Sequence, residues 1–129
     1  MNPIILTNNS VATAVNAAGI IPLGSAIHGC GKAIRMSGND IVIKEPGYYK
    51  VTANITADVT AATALKASMM VDGEEVVSSS ATPAAAGRTV NITLIWILRK
   101  CCPCGINNVT FVLDSAANVT EFTVEVIKL

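Results

Sequence analysis

Apolar and polar residues alternate strictly along most of this chain. In "YYKVTANITADV", Tyr49, Val51, Ala53, Ile55, Ala57 and Val59 fall on one face, and Tyr48, Lys50, Thr52, Asn54, Thr56 and Asp58 on the other. A period of two held over twelve residues predicts a strand with one face in a core. "ALKASMMVDG" repeats the pattern with Leu65, Ala67, Met69 and Val71 on the apolar side. "RTVNITLIWILRK" places Val90, Ile92, Leu94, Trp96 and Leu98 inside, "NNVTFVLDS" places Val109, Phe111 and Leu113, and "TEFTVEVIKL" places Phe122, Val124 and Val126.

Turn-forming residues punctuate these runs: "SGND" at 37–40, "EPG" at 45–47, "VDGEE" at 71–75 and "PAAAG" at 83–87. "MMVDGEEVV" predicts a tight hairpin in which Asp72-Gly73 takes the positive φ angles. Helical periodicity is confined to "VATAVNAAG", where a short helix is weakly supported. Short strands at regular intervals define an all-β protein, an antiparallel sandwich or barrel. Residues 19–129 are expected to form this single domain, and residues 1–18, rich in Ala, Asn and Thr, an N-terminal arm or an added edge strand.

Composition narrows the function classes. Nine basic residues balance nine acidic ones and only 4% of residues are aromatic. That leaves neither the field nor the stacking platforms for nucleic acid, nor a patch for an anionic membrane. With 51% hydrophobic and 14% charged residues, part of the outer surface is expected to be covered by self-association. "MNPIILTNNS" lacks a basic segment followed by an apolar run, so no signal peptide is expected, and "ITLIWIL" is too short to span a bilayer. Synthesis in a cytoplasm is the expected origin.

The order of pieces then resembles a known family. "GNDIVIKEPGYYKVTANITA", a strand, a Pro-Gly corner and a Gly-Tyr-Tyr strand, is followed by "ASMMVDGEEV", "VNITLIWILRK", "VTFVLD" and "TEFTVEVIKL". From residue 20 or so onward this is similar to the jelly-roll heads of the tumour-necrosis-factor and complement globular-head superfamily, in its small stand-alone form from gut Firmicutes and their phages. The order carries the resemblance, not any one motif, and no collagen-like G-X-Y stalk is present.

The resemblance implies an antiparallel jelly-roll sandwich that forms a homotrimer, with one sheet turned toward a threefold axis. The outward faces of its strands would carry the trimer contacts. Tyr48, Ile95, Ile97, Ile127 and Leu129 would form an apolar cluster at one pole. Thr52, Asn54, Thr56, Asn91 and Thr93 would lie toward the other and hydrogen-bond across the axis. The implied role is a non-enzymatic structural or adhesive protein of a phage virion, such as a head fibre, decoration or receptor-binding head. The virion would be assembled after cytoplasmic synthesis, and the N-terminal arm would dock the domain on the larger assembly. A bacterial cell- or spore-surface module recognising glycan or protein is the alternative.

"CCPC" is the other conspicuous feature. Cys101, Cys102 and Cys104 are soft ligands suited to zinc. Yet C-C-x-C is not the paired spacing of structural zinc sites, and adjacent residues of an extended chain point apart. A C-x-x-C redox motif is meant to open a helix, whereas "GINN" leads into a strand. A loop with free thiols or a local disulfide is the simpler reading, and no cofactor is expected. Cys30 is expected near the opposite pole from this loop. His28, the only histidine, has no Ser–His–Asp partners, and the five N-x-S/T sequons, at Asn8, Asn54, Asn91, Asn108 and Asn118, follow from Thr and Asn content. Nothing in the chain assembles into a catalytic set, so it is not expected to be an enzyme.

Overall fold

The structure is a computed structural model and describes residues 4–30, 33–59, 63–85, 87–100 and 107–129, with His28 and Cys30 described by backbone alone. Among these residues there are eleven strands and no helix. In chain order they are β1 (Ile4–Asn9), β2 (Thr13–Val15), β3 (Ser25–Cys30), β4 (Ile34–Ser37), β5 (Asp40–Ile43) and β6 (Gly47–Asp58). β7 (Leu65–Val71), β8 (Glu74–Ala81), β9 (Thr89–Lys100), β10 (Asn107–Leu113) and β11 (Ala117–Lys128) follow.

Two antiparallel sheets pack face to face. One runs β3-β1-β11-β6-β9, with β2 added to β11, and the other runs β4-β5-β10-β7-β8. Long alternating strands lead to this arrangement directly, because each has one apolar face and only a second sheet can cover it. Tyr49, Val51, Ala53 and Ile55 of β6 and Phe122, Val124 and Val126 of β11 are buried against Val109, Phe111 and Leu113 of β10 and Leu65, Ala67 and Met69 of β7. Phe111 and Phe122 meet edge to face between the sheets, with centroids 5.3 Å apart and planes at 74°.

Local chemistry sets the connections. Asp72 and Gly73 take φ angles of 52° and 84°, the two-residue turn that matches strand twist, and join β7 to β8. The Asp72 carboxylate then accepts from the Asn108 amide at 2.9 Å and from Asn107 Nδ2 at 2.6 Å, which fixes the start of β10 beside the turn. At the corner before β6, Gly47 has a φ of 144°. A Cβ there would stand 2.9 Å from Lys128 Cε, which itself pairs with Glu45 at 3.4 Å. The buried Tyr49 hydroxyl donates to the Glu45 carbonyl across the same corner.

That corner makes stability fall in alkali. Burial, ahead of the neighbouring Glu45 charge, raises the Tyr49 phenol above its ordinary value of 10.0. A folded-state value above the unfolded one means that the folded state holds the proton more tightly. The resulting stabilisation is complete below the unfolded value and is lost as pH rises through about 10 and beyond. The urea midpoint should therefore fall between pH 8 and pH 10.5, and Tyr49→Phe should flatten that fall.

Thr7 is a misfit of the opposite kind. Its side chain points from β1 into the core, fully buried, and its hydroxyl has no hydrogen-bond partner. Leaving a buried hydroxyl unpaired costs about 1–3 kcal/mol. Thr7→Val keeps the shape and removes the debt, so it should raise the unfolding free energy by about 1 kcal/mol or more in a denaturant titration.

Four sequence expectations are corrected. The segment expected as an arm or edge strand is neither over β1, which is paired on both sides, to β3 and to β11, inside the sheet, whereas β2 pairs with β11 alone. Its alternation, with Ile5 and Thr7 inward and Ile4, Leu6 and Asn8 outward, is short, and its partner lies more than a hundred residues away, out of reach of local pattern. Trp96 is in register with buried Val51, as expected, yet is 37% exposed. It sits on β9, the edge of its sheet, where only β6 flanks it and the sandwich closes incompletely. Val71, expected inside, is half-buried at the end of β7 beside the turn. Cys30, expected at the far pole, pairs with Ile4, which pairs with Ile127. This is the pole at which β9 ends, because β3 runs alongside β1 in the opposite direction.

Candidate functional site

The residues singled out for contacts lie on the outward face of the β3-β1-β11-β6-β9 sheet, and register sorts them into rows. Ile97, Lys50, Ile127 and Ile4 stand side by side on β9, β6, β11 and β1. Above this row Tyr48 faces Arg99, whose guanidinium lies 5.8 Å from the Tyr48 ring centre. The Leu129 amide donates to the Tyr48 carbonyl at 2.8 Å, which brings Leu129 to the same pole. Below come Ile95, Thr52, Glu125 and Leu6, then Thr93, Asn54, Thr123 and Asn8, then Asn91, Thr56 and Glu121.

Exposure separates the two ends. Tyr48, Ile95, Ile97 and Leu129 are 51%, 53%, 55% and 61% exposed. These are large apolar side chains exposed together at one end of the sheet face. The lower rows are polar and paired within the sheet. Thr93 Oγ1 donates to Asn54 Oδ1 at 2.9 Å, Thr56 Oγ1 to Asn91 Oδ1 at 2.8 Å, and Thr89 Oγ1 to Asp58 Oδ1 at 2.6 Å. In each of the Thr–Asn pairs the asparagine oxygen is the acceptor, so its two N–H groups are not used in that bond.

Sequence reasoning left three members of this face, Lys50, Ile4 and Leu6, out of the contact set. Lys50 and Glu125 put opposite charges diagonally across β6 and β11 in the middle of the apolar row, and Ile4 and Leu6 extend it onto β1. Alternation in "PIILTN" carried the signal for Ile4 and Leu6, but only once β1 is known to lie in the sheet. The expected cysteine candidates, Cys101, Cys102 and Cys104, lie outside the described residues.

The β11 bulge and the strand ends aside, every described element serves a two-sheet jelly roll, the fold of the TNF-like and complement-head sandwiches. No family profile and no curated protein sequence matches the chain. Solved structures do. Vertex protein P5 of PRD1 is similar with a TM-score of 0.74 at 14% identity, covering 98% of this chain and 96% of that one. The Eiger TNF of S. frugiperda gives 0.77 at 9% identity, over 100% and 92%. The globular domain of zebrafish complement 1qA gives 0.74 at 9%, over 98% and 96%. At these identities the likeness is one of fold, and it spans essentially the whole of each chain. No helix among the described residues is long and apolar enough to cross a membrane.

Proposed function

We propose that this protein is a non-enzymatic homotrimer that serves as a structural or adhesive component of a phage virion, as a head fibre, decoration or receptor-binding head. The observation that carries the reading is the exposed Tyr48–Ile95–Ile97–Leu129 strip on one flat sheet face. In the trimer this face of all three copies turns toward the threefold axis, each copy covering part of the next, and closure leaves no contact open for further growth. Removing such area from water contributes about 25 cal/mol per Å². The likeness to a virion vertex protein, P5, supports the virion setting among the many roles this fold hosts.

Light scattering on a size-exclusion column, with and without reductant, tests the assembly. The expected mass is three times 13.3 kDa in both conditions. A monomer would remove the trimer and the function built on it, and a trimer lost only in reductant would assign assembly to the cysteine loop. Antibody labelling of particles and of intact cells or spores from the source culture tests the setting. Label on particles is expected, and label confined to cells or spores would favour the surface-module alternative.

A further inference from the structure

The opposite side of the molecule carries a second feature, unrelated to the apolar strip. A cleft of about 320 Å³ opens on the β4–β5 hairpin, lined by Arg35, Met36, Ser37, Val42 and Lys44. Its geometry follows from the register. Arg35 faces Val42 across the two strands and Ser37 faces Asp40. The Lys44 amide bonds the Ala33 carbonyl, one step beyond the Ile34–Ile43 pair. Arg35, Val42 and Lys44 therefore share the outward face, with Lys44 diagonal to Arg35. Val42 is only 8% exposed and forms the floor, and Met36 reaches the cleft around β4, the edge strand of its sheet.

Charge and hydrogen-bond state point to a ligand class. Among the described residues Lys66 and Lys128 have acid partners, Glu75 at 3.2 Å and Glu45 at 3.4 Å. Arg35 and Lys44, like Lys50, Arg88, Arg99 and Lys100, form no ion pair among the described residues, although Asp40 lies diagonal to Arg35 on the same face; what sets them apart is that they share one cleft. Two cations on one short hairpin repel each other, and a bound anion relieves that repulsion. The guanidinium fork suits a planar carboxylate or a sulfate oxygen pair, and the Ser37 hydroxyl adds a donor. The cleft thus joins two cations, a hydroxyl and an apolar floor of Val42 and Met36. We infer that it binds an acidic sugar, a saccharide unit bearing a carboxylate or sulfate. The anion sits between Arg35 and Lys44 with the Ser37 hydroxyl beside it, and the C–H face lies on Val42 and Met36. The volume suits one such unit at the small end of ligand sites.

This names a ligand class for the adhesive role proposed above. The sheet that carries the cleft is not the one that carries the apolar strip, so the site stays open in a trimer. Its test is independent of the native mass. Spectra of isotopically labelled protein are recorded with glucuronate, with sodium sulfate and with neutral glucose, at constant ionic strength. Saturable shifts at the amides of Arg35, Ser37, Val42 and Lys44 are expected with glucuronate and not with glucose. Arg35→Ala and Lys44→Ala should each weaken the response about tenfold or more, with native mass and circular dichroism unchanged. Sulfate acting as tightly as glucuronate would reduce the site to an adventitious ion only and overturn the sugar assignment. Absence of saturable shifts with either anion, or shifts indifferent to both substitutions, would overturn the site altogether.

Discussion

Ile97→Asp is expected to abolish the trimer while leaving the subunit folded. Ile97 stands in the middle of the apolar row, 55% exposed, with Lys50 beside it and Ile127 beyond. In one subunit the new carboxylate meets water and a neighbouring ammonium, so the fold itself loses little. In a trimer it is buried three times over. Each copy forfeits the roughly 1.5–3 kcal/mol of burying an isoleucine side chain. Each also adds the several kcal/mol of desolvating a charge. Losses of this size per copy shift the association equilibrium by many powers of ten, so light scattering should report one-third of the parent mass. Unchanged circular dichroism and a near-parent urea midpoint for the monomer would show that the face and not the fold was hit. A trimer that survives would move the contact elsewhere on the surface.

Phe111→Ala should have the largest effect on stability. Phe111 on β10 and Phe122 on β11 are fully buried and join the two sheets through one edge-to-face contact. Truncation removes that contact and leaves a cavity that strands paired on both sides cannot collapse to fill. A loss of about 3–5 kcal/mol is expected. Against a usual total of about 5–15 kcal/mol this brings the subunit close to unfolding. Denaturant titration reads it as a fall in midpoint with little change in slope, and Phe111→Leu, which keeps most of the volume, should recover over half of the loss.

Most of the strands were legible because alternation is a local signal and each core face is one-sided. Tyr49 through Val59, Leu65 through Met69 and Val109 through Leu113 sit as their pattern requires, and Asp72-Gly73 forms the turn its chemistry favours. The failures have a common cause in non-local pairing. Whether Trp96 is covered depends on which strand lies at the edge, and β1 is inner only because a strand from the far end of the chain lies against it. The bulge in β11 between Val119 and Glu121 shifts the buried phase from Val119 to Phe122, a three-residue step that no period-two template predicts. The outward face was readable as a set of residues, and its rows needed the register. The cleft was readable in principle, since the "SGND" turn fixes Arg35 against Val42, but two isolated cations carry no motif.

The pairing of β1 with β11 also governs when the molecule can come into being. Asn8 faces Thr123, so β1 finds this partner only after nearly the whole domain has been made. Loops of this length are entropically slow to close, and a sheet built on them folds late. Until then β1 has only β3 beside it, and the row that runs Ile97, Lys50, Ile127 and Ile4 does not exist as a surface. Nascent chains translated side by side on one message therefore lack the face by which finished subunits would recognise each other. Contact through this face waits until β11 has been made, which limits premature tangling of a protein with so apolar a flank.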